Sequence, residues 1–370
     1  MNCKHFGTCG SCSIIDILYS KELKEKEKRL LNLLSPFGVE SLELFFANES
    51  HYRARAEFRI WHNKQGANYA MGSADRKGVI TILECPKVIE PIKRRMTPLL
   101  DAINRSDTLS SKLFSVEFLA TTTDECLVTL IYHRKLDQAW EEEAKALGQE
   151  LDAFMLGRSR KQKVIINQEF VTEKLLIDGK QYIYRHYENS FTQPNPAVNI
   201  KMIEWTTKEA KKVGYGDFLE SYCGLGNFTI PLSQYFDKVL ATEISKRSIQ
   251  AAKENCALNS INNIDFVRLS SEEMTEALNQ TREFRRLQEI NIQEYNFSTV
   301  LVDPPRAGLD QSTTELVSRL ENIIYISCNP ETLSRDLEQL TKTHKIKKVA
   351  LFDQFPHTHH IEAGVILKRF

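Results

Sequence analysis

The carboxyl-terminal half of the chain alternates short apolar runs with longer amphipathic stretches. Such runs are typical of parallel strands buried on both faces of a sheet, and the stretches between them are long enough for helices. The predicted strands are Phe218–Tyr222, Val239–Thr242, Ile264–Val267, Thr299–Val302, Ile323–Ile326, Val349–Phe352 and Val365–Lys368. This series predicts one doubly wound α/β domain.

The amino-terminal half instead alternates apolar and polar positions. From His51 to His62, one face holds Tyr52, Ala54, Ala56, Phe58 and Ile60. The other face shows arginines and Trp61, so we predict a half-buried strand that faces a partner. Further predicted strands are Val79–Leu83, Leu113–Leu119, Cys126–His133, Phe154–Gly157 and Lys163–Ile166, and predicted helices are Lys21–Leu34, Pro91–Ile103 and Leu136–Leu151. We expect an α+β domain with an antiparallel sheet.

The pattern changes near residues 189–195, where Asn195 can cap a helix that starts at Pro196. We therefore predict a first domain over residues 1–180 and a second over residues 181–370. A length of 370 residues, with 42% apolar and 26% charged residues, suits two globular domains. No apolar run approaches the roughly 18 residues of a membrane span, and we find no secretion signal. We expect a cytoplasmic protein without a membrane anchor.

Positive charge is concentrated although the formal net charge is zero. Residues 51–100 hold ten Lys and Arg against four Asp and Glu, a local net charge of +6, and residues 158–163 form a second basic cluster. Basic patches with aromatic residues between them suit a nucleic acid bound on one side. The alternative is an ordinary solvated face.

Eight cysteines without a secretion signal point to metal-binding or catalytic thiols rather than disulfides. Cys3, Cys9 and Cys12 lie close together in the sequence, and Cys85, which precedes a proline, is the best candidate for a fourth ligand. Four thiolates suit a [4Fe-4S] cluster or a zinc ion. Free thiols are the alternative.

Cys328 directly follows a predicted core strand, at the end of the sheet where open α/β folds bind ligands. A thiol there is a candidate nucleophile, and a small buried hydrophobe is the alternative. Farther along, Glu362 is a candidate general base near Cys328. Its alternatives are a surface carboxylate or, with His357, His359 and His360, part of a metal site.

The strand before Gly224-x-Gly226 runs into a turn that lets a ligand approach the backbone, and Glu243 ends the next strand, where a carboxylate suits ribose hydroxyls. Thr229 occupies the position of the third glycine of the dinucleotide fingerprint. The pattern therefore favours S-adenosylmethionine over NAD, with a structural turn as the alternative. Asp303-Pro-Pro-Arg306 resembles the motif by which methyltransferases present a nucleobase to this donor.

The chain resembles the tRNA (uracil-5-)-methyltransferases, in the RNA uracil-5 methyltransferase family, over about residues 15 to 370. The segments that carry the resemblance are His51–His62, Glu188–Asn195, Tyr222–Phe228, Val302–Gly308, Ile326–Leu333 and Leu351–Glu362. The resemblance implies a Rossmann-like S-adenosylmethionine-dependent methyltransferase domain preceded by an RNA-binding domain. The implied donor-binding residues are Gln193, Tyr222, Asn227, Glu243 and Asp303, with Cys328 as nucleophile and Glu362 as base.

The implied substrate is uridine 54 in the T-loop of the tRNA T-arm. Stacked bases are out of reach, so this uridine must flip, and Trp61 and Phe114 are candidates to stack on displaced bases. We expect a monomer without a protein partner.

Enzymes of the same family that act on 23S ribosomal RNA carry a similar cysteine cluster, and that substrate is the runner-up. They usually also carry an extra amino-terminal barrel, which we do not find before Cys3. Two further alternatives are a 5-methylcytosine RNA enzyme, whose nucleophile motif differs, and a non-catalytic iron–sulfur RNA-binding protein. The latter would leave Cys328, Asp303 and Glu362 unexplained.

Overall fold

Two large β-sheets organise the chain, the first with one hydrophobic core and the second with a core on each face. The computed structural model describes residues 1–370. The helices are Tyr19–Leu34 (α1), Glu90–Arg105 (α2), Asp107–Ser110 (α3), Gln138–Leu151 (α4), Pro196–Val213 (α5), Thr229–Leu232 (α6), Lys246–Leu258 (α7), Ser271–Leu278 (α8), Gln311–Val317 (α9) and Pro330–Leu340 (α10). None of the helices combines the length and the apolar character that crossing a membrane requires.

The strands divide between the two sheets and one separate hairpin. They are Glu43–Phe45 (β1), Arg55–Asn63 (β2), Gly66–Gly72 (β3), Val79–Ile82 (β4), Leu113–Ala120 (β5), Cys126–Tyr132 (β6), Phe154–Ser159 (β7), Gln162–Ile165 (β8), Phe170–Ile177 (β9), Lys180–Tyr187 (β10), Asp217–Ser221 (β11), Val239–Thr242 (β12), Ile264–Val267 (β13), Phe297–Val302 (β14), Asn322–Ser327 (β15), His344–Phe352 (β16) and Glu362–Arg369 (β17). The hairpin pairs β9 with β10.

The first sheet has seven strands in the order β4-β3-β2-β5-β6-β7-β8. All neighbours are antiparallel except β6 and β7, because α4 carries the chain back between them as a crossover. Helices α2 and α4 cover one face, where the predicted inward residues of β2, among them Phe58 and Ile60, are buried. Arg59 and Trp61 lie on the opposite, exposed face, as the alternation predicts.

The second sheet has eight strands in the order β1-β16-β17-β15-β14-β11-β12-β13. The five strands from β15 to β13 run parallel, and successive strand residues enter opposite cores: Phe218 and Leu301 pack on one face, and Leu219 and Val300 on the other. Helices cover both faces, which confirms the predicted doubly wound sheet. The strand order reverses between β11 and β14, the usual place for a ligand.

Two early elements pack on this second sheet. Strand β1 pairs in parallel with β16, and Leu30 and Leu34 of α1 enter the same core as Leu333 and Leu337 of α10. The first 45 residues therefore do not all accompany the seven-stranded sheet. The division of the chain near residue 180 stays a prediction.

Candidate functional site

The glycine turn after β11 is tight. Tyr222 has a φ of 66°, and Gly224 and Gly226 have φ values of 56° and 87°. Left-handed backbone is costly for a residue with a side chain, and such strain is often found at binding sites. A Cβ atom on Gly226 would lie 3.0 Å from Cδ1 of Ile230. The turn is therefore built for close approach of the backbone to a ligand and to α6.

A cavity opens directly against this turn. It is lined by four of the five predicted donor-binding residues, Gln193, Tyr222, Asn227 and Asp303. Register explains part of this grouping, because Ser221 pairs with Val302 and the next residue on each strand is Tyr222 or Asp303. The fifth residue, Glu243, lies beside the turn and accepts a hydrogen bond from the Gly224 backbone N–H at 3.2 Å.

Two residues lining the same cavity were missed by the sequence argument. The Asn199 side chain exchanges two hydrogen bonds with that of Asn227, at 2.8 and 2.9 Å, and so holds the amide in place. Asn199 lies one turn after the Asn195 cap, a spacing that could have drawn attention to it. Phe191 also lines the cavity although it is 73% exposed. An exposed aromatic ring beside a ligand cavity suits contact with substrate.

The structure brings the two predicted catalytic side chains to one sheet edge. Strands β15 and β17 are antiparallel, and their last pair is Ser327 with Ala363. Cys328 directly follows Ser327 and Glu362 directly precedes Ala363, so the two residues lie close together at the carboxyl end of β15. Both lie near Asp303, which follows the neighbouring strand β14.

Charge at this edge is dominated by buried acids. Burial raises the pKa of Asp303, and burial together with the charge of Asp303 raises that of Glu362 well above its usual range. Burial and these two carboxylates also raise the pKa of Cys328 to about 11, while the Arg306 guanidinium lowers it. Burial and the neighbouring carboxylates therefore favour the protonated forms of the thiol and of Glu362.

A third buried acid was missed from the sequence. Glu220 on β11 is 1% exposed, and burial raises its pKa well above the usual range. One of its carboxylate oxygens has no hydrogen-bond partner. Its position in an apolar strand, directly before the glycine turn, is the signal that could have identified it. Glu220 is therefore a further buried acid close enough to Asp303 for the Asp303 charge to raise its pKa.

The four cysteines of the predicted metal site line a single cavity of about 360 Å³. Cys3, Cys9 and Cys12 come from the amino terminus and Cys85 from the loop after β4. Burial raises the pKa of Cys12 to about 11. No group of three or more Cys, His, Asp or Glu side chains has an arrangement that could hold a single metal ion. His357, His359 and His360 do not form such a group either. The cavity that the four cysteines share has room for a metal ion or a cluster bound by thiolates, and its geometry does not distinguish the two.

Both predicted stacking residues are exposed on the seven-stranded sheet, away from its helices. Trp61 is 52% exposed and Phe114 is 38% exposed. The Arg59 guanidinium lies 5.9 Å from the centre of the Phe114 ring, which stacks on His133 at 4.5 Å. Rings and a cation in this arrangement suit contact with bases and phosphates.

An open α/β sheet with a glycine turn and an acidic residue at its switch point is the Rossmann-like arrangement that binds nucleosides and dinucleotides. The sequence profile of the family described as tRNA (Uracil-5-)-methyltransferase matches residues 18–370. The chain belongs to this family. The predicted fold class, family and enzyme class are thereby confirmed.

Two curated relatives extend along the whole chain. A protein of a Sulfurovum species named tRNA/tmRNA (uracil-C(5))-methyltransferase is 66% identical over 370 residues, covering 100% of both chains. A protein of the same name from a Nitratiruptor species is 53% identical, again covering 100% of both.

The solved structure of Pyrococcus abyssi tRNA (uracil-54, C5)-methyltransferase, in complex with S-adenosyl-L-homocysteine, is similar in fold. The TM-score is 0.74 and the sequence identity 22%, over 96% of this chain and 85% of that one. At this identity the likeness supports the fold and not the individual site residues.

Proposed function

We propose that this enzyme transfers the methyl group of S-adenosylmethionine to C5 of uridine 54 in the T-loop of tRNA. Family membership supports the chemistry, and the Pyrococcus enzyme of similar fold is named for uracil-54. The curated relatives are named for tRNA and tmRNA, so we propose tmRNA as a second substrate. The observation that carries the proposal is that Cys328 and Glu362 lie close together beside Asp303, which lines the donor cavity.

The first chemical step makes C5 nucleophilic. After the Cys328 thiol has lost its proton to solvent, the thiolate adds to C6 of uracil. The S–C6 bond forms as the π electrons of the C5–C6 double bond move into an enolate across C4 and C5. C5 then takes the methyl group from the sulfonium, whose S–CH₃ bond breaks to leave S-adenosylhomocysteine. Finally Glu362 removes the C5 proton, and the electron pair of that C–H bond restores the C5–C6 double bond as the thiolate leaves.

The raised pKa values suit this order of events. The donor carries a positive sulfonium, and a positive charge beside Asp303 and Glu362 favours their ionised forms. Glu362 can therefore lose its proton while the donor is bound, before methyl transfer removes the positive charge. Arg306 offsets part of the repulsion on Cys328 and favours the thiolate.

The donor cavity divides its tasks among the residues that line it. Asp303 would pair with the positive charge of the donor, and the Asn227 amide, held by Asn199, would bind its polar atoms. Glu243 would accept hydrogen bonds from the ribose hydroxyls, because its carboxylate already sits at the glycine turn. Gln193 and Tyr222 line the remaining wall.

The RNA must be opened before any of this chemistry. Flipping the uridine costs a few kcal/mol, and stacking of displaced bases on Trp61 and Phe114 would return ~1–3 kcal/mol for each base. The exposed face of the seven-stranded sheet is the proposed contact for the T-arm. We expect the enzyme to act as a monomer in the cytoplasm.

The cysteine cavity is proposed to hold a [4Fe-4S] cluster bound by Cys3, Cys9, Cys12 and Cys85. The support is that all four thiols line one cavity, although Cys85 is far from the other three in the sequence. A bound cluster would cross-link the amino terminus to the loop after β4. Its proposed role is structural, since the methylation transfers no single electrons.

The test is methylation with a donor labelled in its methyl group. We expect label in tRNA and none in a tRNA whose U54 is replaced by C. Label that appears only in 23S ribosomal RNA would overturn the tRNA assignment in favour of the runner-up. Absence of label from every RNA, with the donor bound, would favour the non-catalytic RNA-binding alternative.

A further inference from the structure

Helix α1 contacts the loop that leads into the proposed base, over 300 residues away in the sequence. This loop, residues 353–361, joins β16 to β17 and ends directly before Glu362. Three of its backbone groups and one of its side chains bond to α1. No residue of the helix lines the donor cavity.

A buried cation makes the central contact. The Lys26 ammonium group lies 2.7 Å from Glu22 on its own helix and 2.7 Å from Asp353 of the loop, and donates to the Phe355 backbone oxygen at 3.2 Å. Lys26 is only 4% exposed and both carboxylates are fully buried. All three donor positions of the ammonium group are therefore occupied.

Each of the two carboxylates also accepts a further hydrogen bond that links α1 to the loop. The second oxygen of Asp353 accepts a hydrogen bond from the Tyr19 hydroxyl at 2.6 Å. Glu22 accepts one from the His357 backbone N–H at 2.8 Å. His357 has a φ of 61°, so the loop turns through a strained conformation at this point, and the bond from α1 holds it there.

Arg29, one turn along the same helix, reaches both catalytic segments. It donates to the His359 backbone oxygen at 3.1 Å and pairs with Glu331 in the first turn of α10. Helix α10 begins two residues after Cys328. Neighbouring side chains of α1 therefore bind both the loop before Glu362 and helix α10, which follows Cys328.

A buried ionic network of this kind adds little net stability, because the cost of removing its charges from water offsets their attraction. Apolar side chains of the same size would stabilise the contact equally well. Charged groups differ in that each demands a partner at a defined place. The network therefore fixes the relative positions of α1 and the loop more than it stabilises the fold.

We propose that Lys26, with Glu22, Asp353 and Tyr19, is a positioning group that sets the place of Glu362 relative to Cys328. The proposal rests on Glu362 being the base, as described above. Cys328 lies between β15 and α10, whereas Glu362 is the first residue of β17, pairs with Phe352 of β16 and directly follows the clamped loop. Loosening the clamp should therefore impair the removal of the C5 proton more than the addition of the thiol.

The test compares Lys26→Met with Glu362→Gln. We expect the kcat of Lys26→Met to fall about 10- to 100-fold, the scale of a displacement near 1 Å, with KM for tRNA and donor within about twofold of wild type. A methylated protein–RNA adduct should persist on a denaturing gel, as in Glu362→Gln. Lys24→Met, an exposed lysine on the same helix, is the matched control and should behave as wild type.

Because Lys26→Met leaves two buried carboxylates without a cation, Tyr19→Phe is the milder second variant. It removes one hydrogen bond to Asp353 and keeps the charge balance, and should lower kcat about 3- to 10-fold with the same adduct. A folded variant with wild-type kcat, or one with reduced kcat and no methylated adduct, overturns the positioning role. If Glu362→Gln itself forms no adduct, the assignment of the base fails instead.

Discussion

At the scale of single residues, the proposed reaction depends on two groups with separate tasks. Cys328 must add to C6 before the methyl group moves, and Glu362 acts only afterwards. Their variants should therefore stop the reaction at different points. The register of β15 and β17 makes the two residues neighbours, so each variant changes one side chain in an otherwise intact edge.

We expect Cys328→Ala to form no covalent RNA complex and transfer no methyl group. Glu362→Gln should accumulate a methylated adduct, since losing a general base slows the step by ~10²–10⁴-fold. A denaturing gel with methyl-labelled donor distinguishes the two outcomes. Normal turnover by Glu362→Gln would remove Glu362 from the mechanism. An adduct in Cys328→Ala would point to another thiol, with Cys223 beside the donor cavity as the first to examine.

The buried carboxyl of Asp303 makes donor binding pH-dependent. Burial raises its pKa to about 7. Below that pH the carboxyl carries a proton that must leave before it can pair with the cationic donor, so affinity should fall as pH falls. The limit is about tenfold per pH unit for one proton.

Calorimetric titration of donor into enzyme between about pH 5.5 and pH 7.5 measures this dependence. Asp303→Asn should bind the donor weakly and lose most of the slope, because the titrating group is gone. Glu362→Gln tests the contribution of the neighbouring acid in the same range. A wild-type affinity that is constant with pH would contradict the assigned role of Asp303.

At the scale of elements, the turn between β11 and α6 determines whether the donor cavity forms. Gly226 has a positive φ, and an added Cβ would press on Ile230. We expect Gly226→Ala to cost about 1–2 kcal/mol of stability from the left-handed conformation alone. Donor affinity should fall as well, since the turn must move.

Denaturant unfolding and donor calorimetry measure the two effects. Gly78→Ala is the matched control, because no atom lies within 4 Å of the Cβ it would carry. That control should leave both quantities unchanged. Wild-type stability and affinity in Gly226→Ala would show that the turn tolerates a side chain, contrary to its geometry here.

Several elements were predictable because their residues carry the right local pattern. Strands β12 and β13 match their predicted bounds, and Asn195 caps α5 by accepting from the Val198 N–H at 3.3 Å. Strand β3 was missed, since Gly66, Ala67 and Gly72 weaken its alternation. Strands β9 and β10 were missed as well; they pair only with each other and lie outside both large sheets.

At the scale of the whole molecule, the segment that holds Cys3, Cys9 and Cys12 lies against the seven-stranded sheet, where Cys9 pairs with Ser73 after β3. We expect anaerobically purified protein to be brown and to contain about four iron atoms per chain. Replacing any one of Cys3, Cys9, Cys12 or Cys85 by serine should reduce the iron content. Elemental analysis and the absorption spectrum measure this.

Cys256→Ala, a buried cysteine of α7, is the control and should keep its iron. Donor affinity should stay near wild type in the iron-depleted variants, because the thiols and the donor line separate cavities. Zinc without iron would replace the cluster with a zinc site. Neither metal would leave free thiols.

The sequence by itself determined the elements and the candidate chemistry. Apolar runs define the buried parallel strands, since only residues covered on both faces can be uniformly apolar. Cys328 and Asp303 each come after such a run, Tyr222 ends another predicted strand, and parallel strands align their carboxyl ends at one edge. The grouping of these residues therefore followed from local pattern and the geometry of a sheet.

Only the tertiary structure decided which distant groups meet and what their environment does to them. Lys26 and Asp353, more than 300 residues apart, form a buried pair, and no periodicity indicates such a contact. The crossover between β6 and β7 and the pairing of β1 with β16 were likewise invisible. The raised pKa of Glu362 arises from burial beside Asp303, and burial belongs to the packed molecule because it depends on every surrounding segment.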